Sequence, residues 1–355
     1  MPLKVIVGRS NTDLSTKIIE RLVREKIIDG KANVIINTFA NTEINVKIEE
    51  SVRGDDVYII NTGSYFQNHT ATGSINDVLW ETFELIDGCR RSSATSITVI
   101  LPCYPYARSD KKDHRGPISA KLVTDMLISA GATRIVSLDL HSGQIQAFSN
   151  KPFDNLYAIR DISQYLVNTI FPKYGKSNYV LVSPDAGGIK RIKAYSELLH
   201  MNHVILNKQR DYTTNNKIDK SVLIGDPEWI KDKVAIIIDD MIDTAGTMIK
   251  GAEELMRYGA KEVILVATHG ILSNPATDRI NSTPYISDVI VTNSIDQTIN
   301  HKEIDKLHII DVSELITTVI KCLKIGSSIS DLFEKSHIEQ HIIECGSCEL
   351  QISVL

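Results

Sequence analysis

The stretch from Val234 to Thr247 reads V-A-I-I-I-D-D-M-I-D-T-A-G-T. Its first five residues, apolar and mostly β-branched, read as a strand buried on both faces, as in a parallel sheet. Two carboxylates, Asp239 and Asp240, close that strand. The turn Asp243-Thr244-Ala245-Gly246-Thr247 follows and leads into a helical pattern. A strand that ends in acids and turns through small residues into a helix N-terminus can hold a sugar phosphate. Backbone N–H groups and the helix dipole meet the phosphate oxygens. The two acids accept hydrogen bonds from ribose hydroxyls or share a metal ion. Taken alone, the string would also suit an ordinary strand-to-helix turn with Thr247 as its N-cap.

At 355 residues the chain exceeds one ordinary domain, and two of roughly 150 residues are expected. Strand-like runs alternate with helical patterns in both halves, the α/β signature. In the first half strands are read at 4–7, 33–39, 57–61, 96–101 and 134–138, with helices near 12–26, 75–90 and 119–130. In the second half strands fit 179–183, 203–207, 234–238, 263–267, 289–292 and 308–310, with helices near 159–170, 188–199, 246–258 and 312–323. Gly131-Ala132-Thr133-Arg134 and Gly259-Ala260-Lys261-Glu262 each lie between a helix and a β-branched run. Their similarity predicts two related halves, each a doubly wound, mostly parallel sheet flanked by helices. The expected divisions are 1–152 and 153–333, with the last helix packing back on the first half and 334–355 as an extension.

With 43% hydrophobic residues the chain has ample material for a core, and no apolar run approaches the ~20 residues that span a bilayer. A strand pattern begins at Leu3, so no leader segment is expected and a cytoplasmic location is. The five cysteines are Cys89, Cys103, Cys322, Cys345 and Cys348, an odd number that suits a reducing compartment. Cys345 and Cys348 form a C-x-x-C without a second ligand pair, so they are read as unpaired thiols. A net charge of -5 argues against a general nucleic-acid binder. Anionic substrates must then be met by local basic groups or metal ions.

Four further strand ends carry chemistry. Pro102 to Lys112 places Arg108, Lys111 and Lys112 around Asp110 on an aromatic-rich loop. Cations there can clamp a triphosphate, and Arg108 can stack on a purine; a solvated charge run is the plainer reading. Leu138-Asp139-Leu140-His141-Ser142 ends the next strand with a histidine where α/β sheets bind ligands. Val182 to Gly188 (V-S-P-D-A-G-G) puts Asp185 before glycines that let backbone approach a ligand, although a Pro-Asp turn explains the string equally well. Lys208 and Arg210 leave a strand and enter the polar stretch 211–220, as a lid over a transferring phosphoryl group would require.

In order and content these elements resemble the ribose-phosphate pyrophosphokinases from Lys4 to Phe333. The matching stretches are Asn45–Asp56 (N-V-K-I-E-E-S-V-R-G-D-D), Pro102–Asp113, Gly116–Leu122 (G-P-I-S-A-K-L), Leu138–Gln146 (L-D-L-H-S-G-Q-I-Q), V-S-P-D-A-G-G, D-D-M-I-D-T-A-G-T, Thr268-His269-Gly270 and Val291-Thr292-Asn293-Ser294. That family moves the β,γ-pyrophosphoryl group of ATP to the C1 hydroxyl of ribose 5-phosphate, giving phosphoribosyl pyrophosphate (PRPP) and AMP. The resemblance implies two domains of phosphoribosyltransferase type. It implies that Phe39, Asn41 and Glu43 reach adenine across a subunit interface, with homodimer units commonly built into a hexamer. Arg108, Ser109 and Asp110 then form the ATP loop, and His141 and Asp185 meet magnesium and the ATP phosphates. Lys208 and Arg210 become the catalytic lid cations. Asp185, Ala186, Gly187 and Gly188 form the pyrophosphate loop. Asp239, Asp240 and the run Asp243, Thr244, Ala245, Gly246 and Thr247 hold ribose 5-phosphate.

The chain departs from the family pattern at several points. Ser109 replaces the usual glutamine, 65–73 reads as an insertion, the loop at 111–117 is slightly shortened, and Gly143 replaces a frequent serine. The last two changes lie near the regulatory phosphate/ADP site, which the resemblance assigns to Ser51, Arg53, Arg115, Ser328 and Ser330. Altered regulation is therefore expected. A non-catalytic synthetase-associated subunit is the alternative, but the retained His141, Asp185, Lys208 and Arg210 argue against it. A phosphoribosyltransferase would explain the Asp239–Thr247 loop but not the ATP motif.

Overall fold

The computed structural model describes residues 2–67, 72–210 and 219–333, with the side chains of 208–210 and 219–221 outside the description. The C-x-x-C pair, the extension after Phe333 and most of the 211–220 stretch lie outside the described residues. Contacts divide the chain into two compact units. Among the described residues, one comprises the chain up to Tyr157, Asn293–Asp296 and Asp311–Ile329; the other comprises Ala158–Thr292, Gln297–Ile310 and the residues from Ser330 to Phe333.

In the first unit β1 (Leu3–Val7), β4 (Asp56–Ile60), β7 (Ser96–Leu101), β8 (Arg134–Leu138) and β9 (Phe153–Leu156) form one sheet in that order. All of its pairings are parallel. Helices α1 (Thr12–Arg24), α2 (Ile75–Arg91) and α3 (Ser119–Ala130) connect the strands. Each central strand is a run of apolar residues because both faces are covered. Ile59, Val99 and Ile135 meet Leu85 and Leu127 in one buried cluster. The helices start and stop on local signals. Ser74 and Asp77 close a capping box at the start of α2, and Gly131 ends α3 at φ 132.

Among the described residues, four strands of this unit do not join the sheet. β2 (Val34–Thr38) and β3 (Ile44–Ile48) pair with each other, antiparallel. Val34, Ile36, Val46 and Ile48 pack on the core while Ile35 is exposed. This one-sided pattern lays the ribbon over the core instead of extending the sheet. Within the inserted segment, β5 (Phe66–Gln67) and β6 (Thr72–Gly73) make a small hairpin. Phe66 is buried, and the Arg9 guanidinium lies 5.9 Å over its ring.

The second unit has seven strands. They are β10 (Tyr179–Ser183), β11 (His203–Arg210), β12 (Asp219–Ile224), β13 (Val234–Ile242), β14 (Glu262–Gly270), β15 (Ile286–Thr292) and β16 (Leu307–Ile310). Their order is β12-β11-β10-β13-β14-β15-β16, with only the edge strand β12 antiparallel. Helices α4 (Ile159–Tyr165), α5 (Ile189–Leu199), α6 (Gly246–Arg257), α7 (Ala276–Asn281) and α8 (Asn300–Glu303) complete it. Val182, Ile237, Leu265 and Val291 share a buried cluster with Met248 and Leu255 of α6.

Two strand boundaries at the predicted loops differ from the sequence reading. β11 continues through Arg210, because β12 returns antiparallel and pairs Lys208 with Ser221 and Arg210 with Asp219. β13 runs on to Ile242, because its ladder to β14 persists at Met241↔His269 and Ile242↔Gly270. Asp239 and Asp240 therefore lie inside the strand and do not close it. The last helix, α9 (Ser313–Ile325), belongs to the first unit, where Arg21 of α1 donates from Nε to Ser313 Oγ at 2.9 Å.

Asp288, buried in β15, accepts from Lys173 Nζ at 3.1 and 3.2 Å and lies 2.9 Å from His308 Nε2. Burial alone would raise its pKa; hydrogen bonds from His308 and Lys173 outweigh that and hold it at about 2. Its unfolded value is near ~3.9, so its contribution is present above about pH 4 and is lost as pH falls through about 2. Asp288→Asn is expected to cost on the order of 2 kcal/mol of unfolding free energy at neutral pH. Urea unfolding at pH 7, 4 and 3 checks this. The gap to the unaltered protein must narrow between the two acidic points, and a constant gap refutes the electrostatic account.

Candidate active site

The strand order of the second unit reverses between β10 and β13. The carboxyl ends of two such strands form the crevice where open α/β sheets bind ligands. Two of the predicted loops leave from this place. After β10, Asp185 turns the chain into α5: its Oδ1 accepts from Gly188 N–H at 3.1 Å, and Ser183 Oγ donates to its carbonyl at 2.8 Å. A Cβ on Gly188 would stand 2.4 Å from Ser183 Oγ. That glycine is thus required by its own strand as well as by any ligand. Ala186 and Gly187 are exposed beside it.

After β13, the chain turns through Asp243 and Thr244 to Ala245, which holds the left-handed φ of 58 and is the N-cap of α6. No side chain caps this helix and no acid occupies its first turn. Thr247 is therefore not the cap. A helix start of this kind is where a phosphate group can be met. Asp240 is buried and Asp239 half-buried. Burial first, and the neighbouring Asp240 charge second, push the Asp239 carboxyl above its ordinary range, while Arg191 opposes both.

Two arginines that the sequence reading does not name stand at these loops. Arg191, in the first turn of α5, forks across the acids: Nη1 donates to Asp239 Oδ1 at 2.7 Å and Nη2 lies 3.4 Å from Asp240 Oδ1. Arg279, in α7, donates from Nη1 to the Thr244 carbonyl at 2.7 Å. Each comes from a helix distant in sequence, so only the fold brings them to the loops. Lys208 and Arg210 stand at the end of β11 as backbone positions; their side chains lie outside the description.

In the first unit the loops after β7 and β8 leave the same sheet edge, since the two strands pair in parallel. Arg108 is exposed and Asp110 half-buried. Ser109 fastens this loop to α3: Ser119 N–H donates to its Oγ at 3.2 Å and Ala120 N–H to its carbonyl at 3.1 Å. It thereby answers a helix start that Ile118 leaves without a side-chain cap. His141 is exposed just beyond β8. It is presented there by Asp139, at φ 40, and by buried Leu140, whose N–H donates to Asn155 Oδ1 at 3.0 Å.

Phe39, Asn41 and Glu43 form the tip of the β2–β3 ribbon, closed by Phe39 N–H to Glu43 carbonyl at 2.8 Å. Phe39 is 52% exposed, unusual for a ring of its size. Of the regulatory set, Ser51 and Arg53 precede β4 while Arg115 follows β7, so they leave opposite edges of one sheet. Ser328 belongs to the first unit and Ser330 to the second. At Gly143 a Cβ would meet nothing nearer than Gln146 Nε2 at 4.0 Å, so packing does not demand glycine there.

Among the described residues no three or more His, Cys, Asp or Glu side chains gather as a ready-made metal cluster. Magnesium does not need one: it takes one or two carboxylates and completes its shell with substrate oxygens and water. The donors at the switch point, Asp185, Asp239 and Asp240, are all carboxylates, which fits that ion. Among the described residues no helix is long and apolar enough to cross a membrane.

Residues 3–131 match the family model for the N-terminal domain of ribose phosphate pyrophosphokinase, and residues 212–334 match the phosphoribosyl synthetase-associated domain. Among solved structures, phosphoribosylpyrophosphate synthetase from Mycobacterium smegmatis is 34% identical. The match covers 92% of this chain and all of that one, with a TM-score of 0.80. Adenine phosphoribosyltransferase from Leishmania tarentolae is far more distant, at 20% identity over 39% of this chain and 72% of that one, with a TM-score of 0.28. The chain belongs to the ribose-phosphate pyrophosphokinases, the PRPP synthetase family.

Proposed function

We propose that this chain transfers the β,γ-pyrophosphoryl group of ATP to the C1 hydroxyl of ribose 5-phosphate, forming PRPP and AMP. The observation that carries this is the D-D-M-I-D-T-A-G-T loop at the switch point, in a chain that matches a PRPP synthetase over 92% of its length. In this reading the open start of α6 takes the 5-phosphate, and Asp239 and Asp240 accept from the ribose hydroxyls. The loop Asp185–Gly188 takes the diphosphate. Arg108 and Asp110 bind ATP, and Lys208 and Arg210 stabilise charge on the transferring group. Magnesium would be met by His141 and Asp185 together with phosphate oxygens, and it supplies charge neutralisation there.

The exposed Phe39, with Asn41 and Glu43, suits a reach into the adenine site of a neighbouring copy, which supports homodimer units and a hexamer. A cytoplasmic location goes with the substrates. A non-catalytic associated subunit remains the rival reading, and the retained site residues weigh against it. The direct experiment is AMP release from ATP, ribose 5-phosphate and magnesium by the purified chain. Absence of AMP under conditions where both substrates bind would favour the rival.

Lys208→Ala and Arg210→Ala are each expected to lower kcat roughly 100-fold or more, the size of one lost transition-state charge stabiliser. KM should move far less, because a lid engages mainly as the transition state forms. Near-normal turnover in both variants would sink the assignment. Asp243→Asn and Thr247→Ala should weaken ribose 5-phosphate binding and leave ATP binding nearly intact; calorimetric titration of each ligand decides, and equal losses for both count against the division of roles. Finally, Gly143 and the shortened 111–117 loop favour weaker allosteric inhibition by ADP than is usual in the family. One missing hydrogen bond to a phosphate oxygen there costs on the order of 1–3 kcal/mol if buried. Strong ADP inhibition that saturating ATP cannot relieve would refute this.

A further inference from the structure

The sugar-phosphate loop has an unbalanced charge. It carries three carboxylates, Asp239, Asp240 and Asp243, and no basic residue of its own between Val234 and Thr247. Arg191 forks onto Asp239 and Asp240, so its charge is already committed. A doubly charged phosphomonoester entering here meets N–H groups at the start of α6, whose dipole is worth only about half a charge. A further cation beside the turn would strengthen the attraction for a phosphate.

Arg279 is positioned to be that cation. Its helix α7 packs on α6, its Nη1 donates to the Thr244 carbonyl, and that bond at 2.7 Å holds the guanidinium against the turn. Gly246 carries the complementary signal. A Cβ there would lie 3.2 Å from Arg279 Nη1 and 3.9 Å from Thr244 Oγ1, so a side chain at 246 would crowd the guanidinium and shift it by a few tenths of an ångström. The φ of Gly246 is not in the left-handed region; the strained position is Ala245. The glycine in T-A-G-T thus leaves the guanidinium uncrowded beside the turn, and its φ does not require glycine. A guanidinium fixed through one nitrogen keeps its remaining N–H donors in a rigid plane suited to phosphate oxygens.

Resting on the site reading above, we propose that Arg279 pairs with the 5-phosphate of the sugar substrate and makes this loop select a phosphorylated pentose over the free sugar. Arg279→Gln is the cleanest variant, since its amide can still donate to the Thr244 carbonyl while the charge is gone. Binding of ribose 5-phosphate to the full chain is measured by calorimetry, and binding of unphosphorylated ribose by competition. For Arg279→Gln the expected loss is roughly 10- to 100-fold for ribose 5-phosphate, the size of one charge-assisted pair, with ribose and ATP nearly unchanged. Arg279→Lys should recover part of the loss. Equal weakening of ribose and ribose 5-phosphate would mean that Arg279 only braces the loop, and the proposal falls. If Arg279→Gln fails to fold, the ribose 5-phosphate to ribose ratio of Arg279→Lys decides in the same way. If the unaltered chain binds no ribose 5-phosphate, the site reading fails first and this one with it. Binding by the unaltered chain with no change in the variant overturns Arg279 alone.

Discussion

Two adjacent carboxylates inside a parallel strand are costly to keep ionised, and the second unit is arranged around that cost. At an effective dielectric near 20, two like charges about 4 Å apart repel by about 4 kcal/mol, and burial adds to the penalty. Arg191 offsets both by forking onto the pair. Because Arg191 sits in the first turn of α5, the ion pair also ties the helix that starts at the Asp185 loop to the strand that ends in the Asp243 loop. Two ligand loops that leave different strands are thereby held in one register. Losing the guanidinium would release the loops from each other and leave Asp239 to neutralise itself by protonation.

The rest of the loop chemistry follows from where positive charge can be found in an acidic chain. Net charge is -5, so the chain as a whole does not attract anions. Anions must be caught by N–H groups, by metal, and by single guanidinia that the fold aims. The helix starts differ in how they are closed. At α2 the capping box of Ser74 and Asp77 occupies the helix start. At α6 the cap position is an alanine that can cap nothing. The missing side-chain cap does not by itself mark a site, since α4, α7 and α9 also start without one; what sets α6 apart is that it follows the acidic turn after β13.

Much of the fold was legible because buried parallel strands announce themselves as apolar runs: 96–101 and 134–138 match β7 and β8, and 179–183 matches β10. The strand ends were harder, since a ladder continues wherever its neighbour does, which is how Asp239 and Asp240 came to lie within β13. β3 reads I-N-V-K-I, a clear alternation hidden inside the 45–56 motif. α7 has only six residues, too few for a helical period to show. Arg191 and Arg279 could not be placed from sequence, because their partners lie 48 and 35 residues away. At Gly246 the signal was present, yet a glycine in a turn is explained too easily by the turn.

The two units follow one chain path: strand, helix, antiparallel ribbon, strand, helix and further parallel strands. The difference is what fills the ends of the equivalent strands. In the second unit the ends of β10 and β13 carry open loops. In the first, the ends of β1 and β4 are packed with the chain's own polar groups. Arg9 Nε donates to the fully buried Glu81 at 2.6 Å, and Arg9 N–H donates to it at 2.8 Å. Ser10 Oγ bonds Asn61 and accepts from Thr62 N–H at 2.7 Å. Gly8 has no room for a side chain, because a Cβ would stand 2.3 Å from Asn61 Cγ. These donors are taken up internally, so they do not serve to recognise an anion. Within that unit the exposed Arg108 and His141 leave the ends of β7 and β8 instead. One fold thus fills equivalent strand ends differently, with polar groups that bond one another at β1 and β4 and with exposed loop residues at β7, β8 and β10.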